Sequence, residues 1–84
     1  MTWNHRIVKT LGIYGEEELE IREVYYDSYG EPYAHGSANI FGNSIHELHE
    51  VRERIASAFL KNVLDYPEDF TGDPNRPPRD EDAE

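Results

Sequence analysis

Apolar and polar residues alternate along three stretches in the first half of the chain. A period of two is typical of strands that bury one face. The three predicted strands cover residues 3–11, 19–26 and 33–41. Short glycine-containing connections between them predict an antiparallel meander. The third stretch follows Pro32 and is small and polar in its middle, which indicates an irregular edge strand, because proline has no amide hydrogen to donate.

Two of these strands contain a break in the alternation. The apolar positions of the first strand share one parity and are Trp3, Ile7 and Leu11. However, His5 and Lys9 share that parity with them. In the second strand the apolar phase changes at Glu23. We interpret this change as a β-bulge, or as a strand with both faces partly covered.

A helical period begins at residue 44. Ser44 and Glu47 have the spacing of a capping box, in which each side chain bonds an unpaired backbone amide. One apolar face follows at helical spacing and consists of Ile45, Leu48, Val51, Ile55, Phe59 and Val63. We predict a helix over residues 44–64 that ends before Pro67, packed on the inner face of the sheet. The predicted fold class is α+β, β-β-β-α, a three-stranded antiparallel meander packed against one C-terminal helix.

The composition changes near Pro67. Residues 67–84 hold four of the five prolines, and their only large apolar residue is Phe70. Such a segment buries too little apolar surface to offset the entropy cost of ordering. We therefore predict one domain, residues 1–66, and an acidic tail, residues 67–84, that is disordered from about Thr71. Phe70 and Tyr66 are expected to fold back onto the domain.

Charge and composition limit the classes of partner. The chain carries a formal net charge of −10, and such a surface repels phosphate backbones, so nucleic acid is not an expected ligand. The absence of cysteine excludes disulfides and thiol catalysis and favours a cytoplasmic location. No apolar run approaches the roughly 18 residues needed to cross a bilayer. We predict a cytoplasmic protein that does not enter a membrane.

The segment His-Glu-Leu-His at 46–49 comes nearest to a catalytic motif. The metalloprotease motif spaces its histidines four residues apart, whereas these are three apart. Both are predicted to face solvent, His46 in an i,i+4 pair with Glu50 and His49 in one with Glu53. Catalytic metal sites need three protein ligands and a shaped cavity. We therefore expect no catalytic residue, metal or cofactor, and a protein that is not an enzyme.

Tyrosines cluster around the second predicted hairpin. They are Tyr25, Tyr26, Tyr29 and Tyr33. On an uncovered sheet such side chains anchor a partner, because they combine apolar area with a hydroxyl. The alternative interpretation is that they form cross-strand pairs that stabilise the hairpin. The first interpretation makes them the candidate interaction residues, toward a protein partner or a second copy of the chain.

Two resemblances add to this picture. The order of elements, with Gly-Asn-Ser-Ile-His-Glu-Leu at 42–48, resembles the N-terminal domain of HicB antitoxins, in which Gly-x-Ser/Thr-x-x-Glu opens the helix after the sheet. A second resemblance is to a set of short bacterial proteins of unknown function, and it rests on Trp3-Asn4, Glu23-Val-Tyr-Tyr-Asp27, Gly30, Pro32, Ser44, Glu47-Leu48 and Val63-Leu-Asp-Tyr66. These resemblances imply a bacterial cytoplasmic protein and assign no functional residue.

The sequence therefore predicts a small, acidic, non-enzymatic protein-interaction module that is HicB-like. One alternative is a phage-type inhibitor that mimics nucleic acid, which requires carboxylates spaced along a ridge like phosphates. The other alternative is a weak metal-dependent hydrolase that uses His46, His49 and Glu50.

Overall fold

The computed structural model describes residues 2–77, and this part of the chain forms a mixed four-stranded sheet crossed by one helix. The strands are β1 (Thr2–Leu11), β2 (Glu17–Tyr26), β3 (Pro32–Ser37) and β4 (Leu64–Asp65). The helix α1 (Ile45–Ala56) continues into a 3₁₀ turn over Ser57–Leu60. The spatial order is β3-β2-β1-β4, with β4 parallel to β1 and the other pairs antiparallel. The α+β class is therefore as predicted.

The predicted helix is too long, because α1 ends at Ala56 rather than at residue 64. The hydroxyl of Ser57 donates to the carbonyl of Arg54 at 2.6 Å, a local bond that competes with continuation of the helix. The tighter 3₁₀ turn that follows buries Ala58 completely and contacts β1. A small side chain at this position allows the backbone to approach the strand closely.

The fourth strand corrects the prediction of a three-stranded meander. After the 3₁₀ turn the chain extends, and Leu64 and Asp65 pair in parallel with Val8 and Lys9. The amide of Tyr66 then donates to the carbonyl of Lys9 at 2.9 Å. A strand of two residues has no recognisable period, and the helical apolar spacing continues through this region, so the pattern alone favoured a helix.

The turn between β2 and β3 forms as predicted, and β3 is an edge strand as predicted. Gly30 has φ of +82° and its amide donates to the Asp27 carbonyl at 3.0 Å. β3 is shorter than expected, because it ends at Ser37. The irregular register lies between Tyr25 and Tyr26 on the β3 side, whereas the pairing of β1 with β2 is regular throughout.

The regular register of β1 with β2 separates the side chains onto two faces. Odd-numbered residues of both strands lie on the face that α1 crosses, which we call the helix face. Even-numbered residues lie on the other face, which we call the tail face. There His35, opposite Val24, makes edge-to-face ring contacts with Tyr66 at 4.6 Å and Phe70 at 5.3 Å between centroids. The expectation that Tyr66 and Phe70 fold back is confirmed.

Residues 71–77 approach the β2–β3 turn through the buried carboxylate of Asp27. Oδ1 accepts the amides of Tyr29 and Glu31 at 2.8 and 2.9 Å. Oδ2 accepts the amide of Asp73 at 3.0 Å and lies 3.5 Å from Arg76 Nε. Asp27 thus joins the turn to the C-terminal segment. The domain boundary at residue 66 and the disorder of the tail stay predictions, and residues 78–84 lie outside the described residues.

The apolar interior is small. Across residues 2–77 the buried apolar side chains are Val8, Val24, Val51 and Ala58. Of these, Val24 is fully buried on β2, which, like β1, has a neighbouring strand on each side. A core with so few members gives each one a large share of the stability.

We expect Val24→Ala to lower the free energy of unfolding by about 2 kcal/mol, because it removes buried methyl groups and leaves a cavity. The measurement is the urea concentration at the midpoint of unfolding, with the dependence of the unfolding free energy on urea concentration unchanged. Leu19→Ala on the same strand is the control, since Leu19 is 63 % exposed, and its effect should stay within about 0.5 kcal/mol. Equal effects of the two substitutions would contradict this description of the interior.

Asp27 generates a prediction about acid sensitivity. Burial of its carboxyl is outweighed by the amides of Asp73, Glu31 and Tyr29 and by Arg76, so the pKa of Asp27 lies below its ordinary value. Its contribution to stability is then present above the unfolded-state pKa of about 3.9 and is lost as the pH falls through the lower folded pKa.

We therefore expect Asp27→Asn to be less stable than the wild type at pH 7, with the difference shrinking as the pH falls below about 4. Thermal unfolding followed by circular dichroism between pH 7 and pH 2.5 measures the two curves. Glu18→Gln, which removes an exposed carboxylate from β2, should give no such convergence. A difference that is independent of pH would show that the ionised carboxylate is not what joins the turn to the C-terminal segment.

Candidate functional site

A cleft of about 390 Å³ lies between α1 and the helix face of the sheet. Its sheet side consists of Trp3, His5, Glu23 and Tyr25. Its opposite side consists of Asn39, Phe41, Val51 and Arg54. We call it the helix-face cleft. Its volume suits one side chain or a small ligand rather than a folded segment.

The β1–β2 register creates the floor of the cleft. Trp3 lies directly opposite Tyr25, and His5 lies directly opposite Glu23. Because directly opposed side chains on one face of an antiparallel pair are neighbours, the four form a compact group. The rings of Trp3 and His5 meet edge to face, with centroids 5.5 Å apart and planes at 73°. Two aromatic rings, an imidazole and a carboxylate therefore share one small surface.

The start of α1 positions part of the opposite side of the cleft. Ser44 Oγ accepts the amide of Glu47 at 3.1 Å, which confirms half of the predicted capping box. The Glu47 carboxylate accepts the amide of Asn43 at 2.7 Å rather than that of Ser44. The linker between β3 and α1 passes close to the helix at Gly42, where a Cβ would lie 2.9 Å from Glu47 Cβ. This close approach helps to hold Phe41 at the mouth of the cleft.

Glu23 is held in place by hydrogen bonds. The Tyr25 hydroxyl donates to Glu23 Oε1 at 2.7 Å, and the amide of Asn39 donates to Oε2 at 3.4 Å. The hydrogen bond to Glu23, together with partial burial, raises the pKa of Tyr25. The tyrosine therefore remains a neutral hydrogen-bond donor at physiological pH. The carboxylate still has lone pairs to offer to a ligand.

His5 is the unusual group in the cleft. Its side chain is 4 % exposed, and within residues 2–77 its buried Nε2 atom has no hydrogen-bond partner. Burial lowers the pKa of His5, an effect that Glu23 opposes and Arg54 reinforces. The imidazole is therefore neutral at pH 7. A buried polar atom without a partner costs about 1–3 kcal/mol, so His5 lowers the stability of the fold at the floor of the cleft.

A larger groove of about 640 Å³ lies beside β4, and most of its charged side chains are paired within the protein. Lys9 Nζ lies 3.3 Å from Asp65 and 3.6 Å from Glu17, and the hydrogen bond to Asp65 is the main cause that raises the pKa of Lys9. His35 Nδ1 in the same groove accepts from Arg22 Nε at 3.2 Å. Two buried side-chain polar atoms in residues 2–77 lack a hydrogen-bond partner, Arg6 Nε and His5 Nε2. Because His5 lines the helix-face cleft together with Glu23, we take this cleft as the candidate site.

The structure does not bring the four candidate tyrosines onto one surface. Tyr25 lines the cleft, whereas Tyr26 lies on the tail face, where its hydroxyl donates to Asn4 Oδ1 at 2.7 Å. Tyr29 lies in the β2–β3 turn, with the guanidinium of Arg76 4.6 Å from its ring centroid. Tyr33 is half-buried on the edge strand β3. Among the four, Tyr25 is the one that the candidate site contains.

The helix histidines face solvent as predicted. His46 Nε2 lies 3.4 Å from Glu50 Oε2, and the His46 side chain is 83 % exposed. The second predicted pair is not found among the described ion pairs, because Glu53 pairs with Arg52 at 3.4 Å. No three metal-binding side chains come together anywhere in residues 2–77. The cleft lies on the other side of α1 from His46.

Sequence reasoning missed His5, Glu23, Phe41 and Arg54 as site residues. Two of them carried a signal, since His5, like Lys9, breaks the alternation of β1, and Glu23 breaks that of β2. The register places these two breaks directly opposite each other. Pairing the interruptions of neighbouring strands would have located the floor of the cleft. Phe41 and Arg54 carried no signal, because the path of the linker and the rotation of α1 position them.

Comparison of the chain with protein-family models, with curated proteins and with solved structures gave no match. None of the helices in the described part of the chain is long and apolar enough to span a bilayer. The function must therefore be argued from the residues of the cleft and its surroundings.

The lowered pKa of His5 predicts a loss of stability in mild acid. Because the folded pKa lies below the unfolded value of about 6.5, the neutral form favours folding. This contribution is present above pH 6.5 and is lost as the pH falls toward the folded pKa. We expect the urea midpoint of the wild type to fall between pH 7.5 and pH 5, and that of His5→Gln to fall less.

Burial and Arg22 also lower the pKa of His35. Because His35 is present in both the wild type and His5→Gln, its contribution to the pH dependence cancels when the two are compared. The matched control is His46→Gln, which removes an exposed imidazole and should leave the pH dependence of the wild type unchanged. Identical pH dependence in the wild type and His5→Gln would show that His5 is not buried as described.

Proposed function

We propose that the protein is an acidic, non-enzymatic interaction module that binds a cationic protein partner on the apolar surface around the helix-face cleft. The observation that carries this proposal is the imbalance between buried and exposed apolar side chains. Across residues 2–77, fourteen large hydrophobic side chains are exposed, whereas the buried interior has four apolar members. Exposed apolar side chains that form one contiguous patch, rather than scattered single ones, are typical of an interaction site.

Part of this surface is continuous with the cleft. Trp3 is 49 % exposed and Phe41 is 70 % exposed, and both line the cleft. On α1, Leu48 lies one turn before Val51, and Ile45 lies one turn before Leu48, so helical spacing places them in a row that leads to the cleft. We call Trp3, Phe41, Ile45 and Leu48 the cleft rim. Aromatic and aliphatic anchors beside a pocket are the common form of an interaction hot spot.

Charge decides which partner suits the rim. The chain has a net charge of −10, although α1 itself carries Glu47, Glu50 and Glu53 against Arg52 and Arg54. Two copies of such a chain repel each other, whereas a cationic protein is attracted and oriented before contact. A basic partner is therefore favoured over a second copy. A cytoplasmic location, which the absence of cysteine favours, is part of this proposal.

A synthetic amphipathic peptide of leucine and lysine tests the surface directly. We expect it to bind the full chain, and the double variant Phe41→Asn with Leu48→Asn to bind at least about tenfold more weakly, because two apolar anchors are lost. Ile13→Asn is the matched control, since Ile13 is 89 % exposed in the β1–β2 turn, and it should bind like the wild type. Isothermal titration calorimetry measures the affinities.

The same peptide with glutamate in place of lysine should not bind, which separates charge attraction from general apolar adhesion. Light scattering at 150 mM salt should show a monomer. A wild-type protein that is a dimer, with a double variant that is a monomer, would show that the partner is a second copy of the chain and not a cationic protein. Equal loss of binding in Ile13→Asn and in the double variant would show that the cleft rim has no special role.

A further inference from the structure

We propose that the helix-face cleft is an aromatic-walled recognition pocket for one cationic side chain, arginine or lysine, of that partner. This inference rests on the proposed function and adds to it the chemistry of the residue that enters the cleft. It follows from three features of the cleft: its aromatic walls, its unused hydrogen-bond acceptors and the position of its one cation.

The walls suit a cation with an apolar stem. Trp3 and Tyr25 are directly opposed on the sheet, and Phe41 faces them from the linker. A guanidinium or ammonium within about 6 Å of such ring faces is stabilised by the ring quadrupoles, most strongly by tryptophan. The methylene stem of arginine or lysine also buries well against aromatic and aliphatic side chains, including Val51. A carboxylate would gain nothing from these ring faces.

The acceptors lie at the floor of the cleft. Glu23 offers a carboxylate whose position is fixed by Tyr25, and it lies opposite the neutral His5. The Nε2 atom of His5 is buried and closed to solvent, so His5 borders the floor of the cleft without offering that atom to a ligand. A guanidinium has five N–H donors and reaches two acceptors at once. The cleft thus combines a charged acceptor, the Glu23 carboxylate, with aromatic walls.

The charge of Arg54 lowers the affinity of the cleft for a cationic side chain. The proposal therefore predicts the direction in which removal of Arg54 changes the binding. Arg54 lines the same cleft, and it makes no ion pair within the described residues. Its charge opposes a cationic ligand and would attract an anionic one. Removing Arg54 must therefore strengthen the binding of a cation and weaken the binding of an anion, while removing the charge of Glu23 must do the reverse.

The test is titration of the full chain with N-acetyl-arginine amide, with N-acetyl-citrulline amide as the uncharged analogue of nearly the same shape. Trp3 is the only tryptophan and lines the cleft, so its fluorescence reports occupancy, and amide chemical shifts of residues 3–5 and 23–25 confirm the location. A single side chain should bind with a Kd on the order of millimolar. The citrulline analogue should bind at least about tenfold more weakly.

Three variants test whether the affinity for the arginine amide rises or falls as proposed. Glu23→Gln keeps an acceptor for Tyr25 but should weaken binding about tenfold, because a charge-assisted hydrogen bond is lost. Arg54→Gln should strengthen it about threefold, as expected for removal of one partly screened repulsion. Glu18→Gln removes the same charge on the tail face, away from the cleft, and should change the affinity by less than about twofold.

Weaker binding in Arg54→Gln, or equal binding of the citrulline analogue, would overturn the recognition of a cation. The two proposals also fail separately. If the leucine–lysine peptide binds through the cleft rim but Glu23→Gln leaves that binding unchanged and the arginine amide does not bind, the interaction module stands and the pocket does not. If the arginine amide binds but the rim variants leave peptide binding unchanged, the pocket stands and the proposed function does not.

Discussion

The pairing of β1 with β2 is the interaction on which the rest of the structure depends. Its register runs without interruption over the full length of both strands. That register determines which side chains face α1 and which face the C-terminal segment, and a shift by one residue would exchange the two faces. It also brings His5 opposite Glu23. The interior and the candidate site are therefore two consequences of one set of backbone hydrogen bonds.

Each face of this pair is covered by only a little chain. On the helix face, α1 contributes Val51 to the buried interior, and on the tail face the rings of Tyr66 and Phe70 pack on His35. The sheet is thus enclosed between two thin layers instead of resting on one broad apolar core. The Asp27 carboxylate supplements this packing with polar bonds to the C-terminal segment. Much of the apolar area of the chain is consequently left at the surface.

The sequence predicted those features that depend on local chemistry. The alternation of β1 and β2, the turn at Asp27 to Gly30 and the Ser44 cap are each encoded within a few residues, and each was found. The end of α1 and the strand β4 were not predictable, because the apolar period runs on past Ala56 and a bond of Ser57 overrides it. Only part of the cleft was predictable from the sequence. Its floor is marked by His5 and Glu23, but its opposite wall depends on how the linker crosses the sheet.

Some of the side chains that weaken the isolated chain are those that the proposed partner would contact. An orphaned Nε2 on His5 and exposed rings at Trp3 and Phe41 raise the free energy of the folded protein. A ligand that contacts these rings binds the folded state and not the unfolded chain, so its binding free energy adds to stability by mass action. Strand pairing thus positions two polar residues that interrupt the apolar face, and under the proposed function a bound partner would offset part of the stability lost around them.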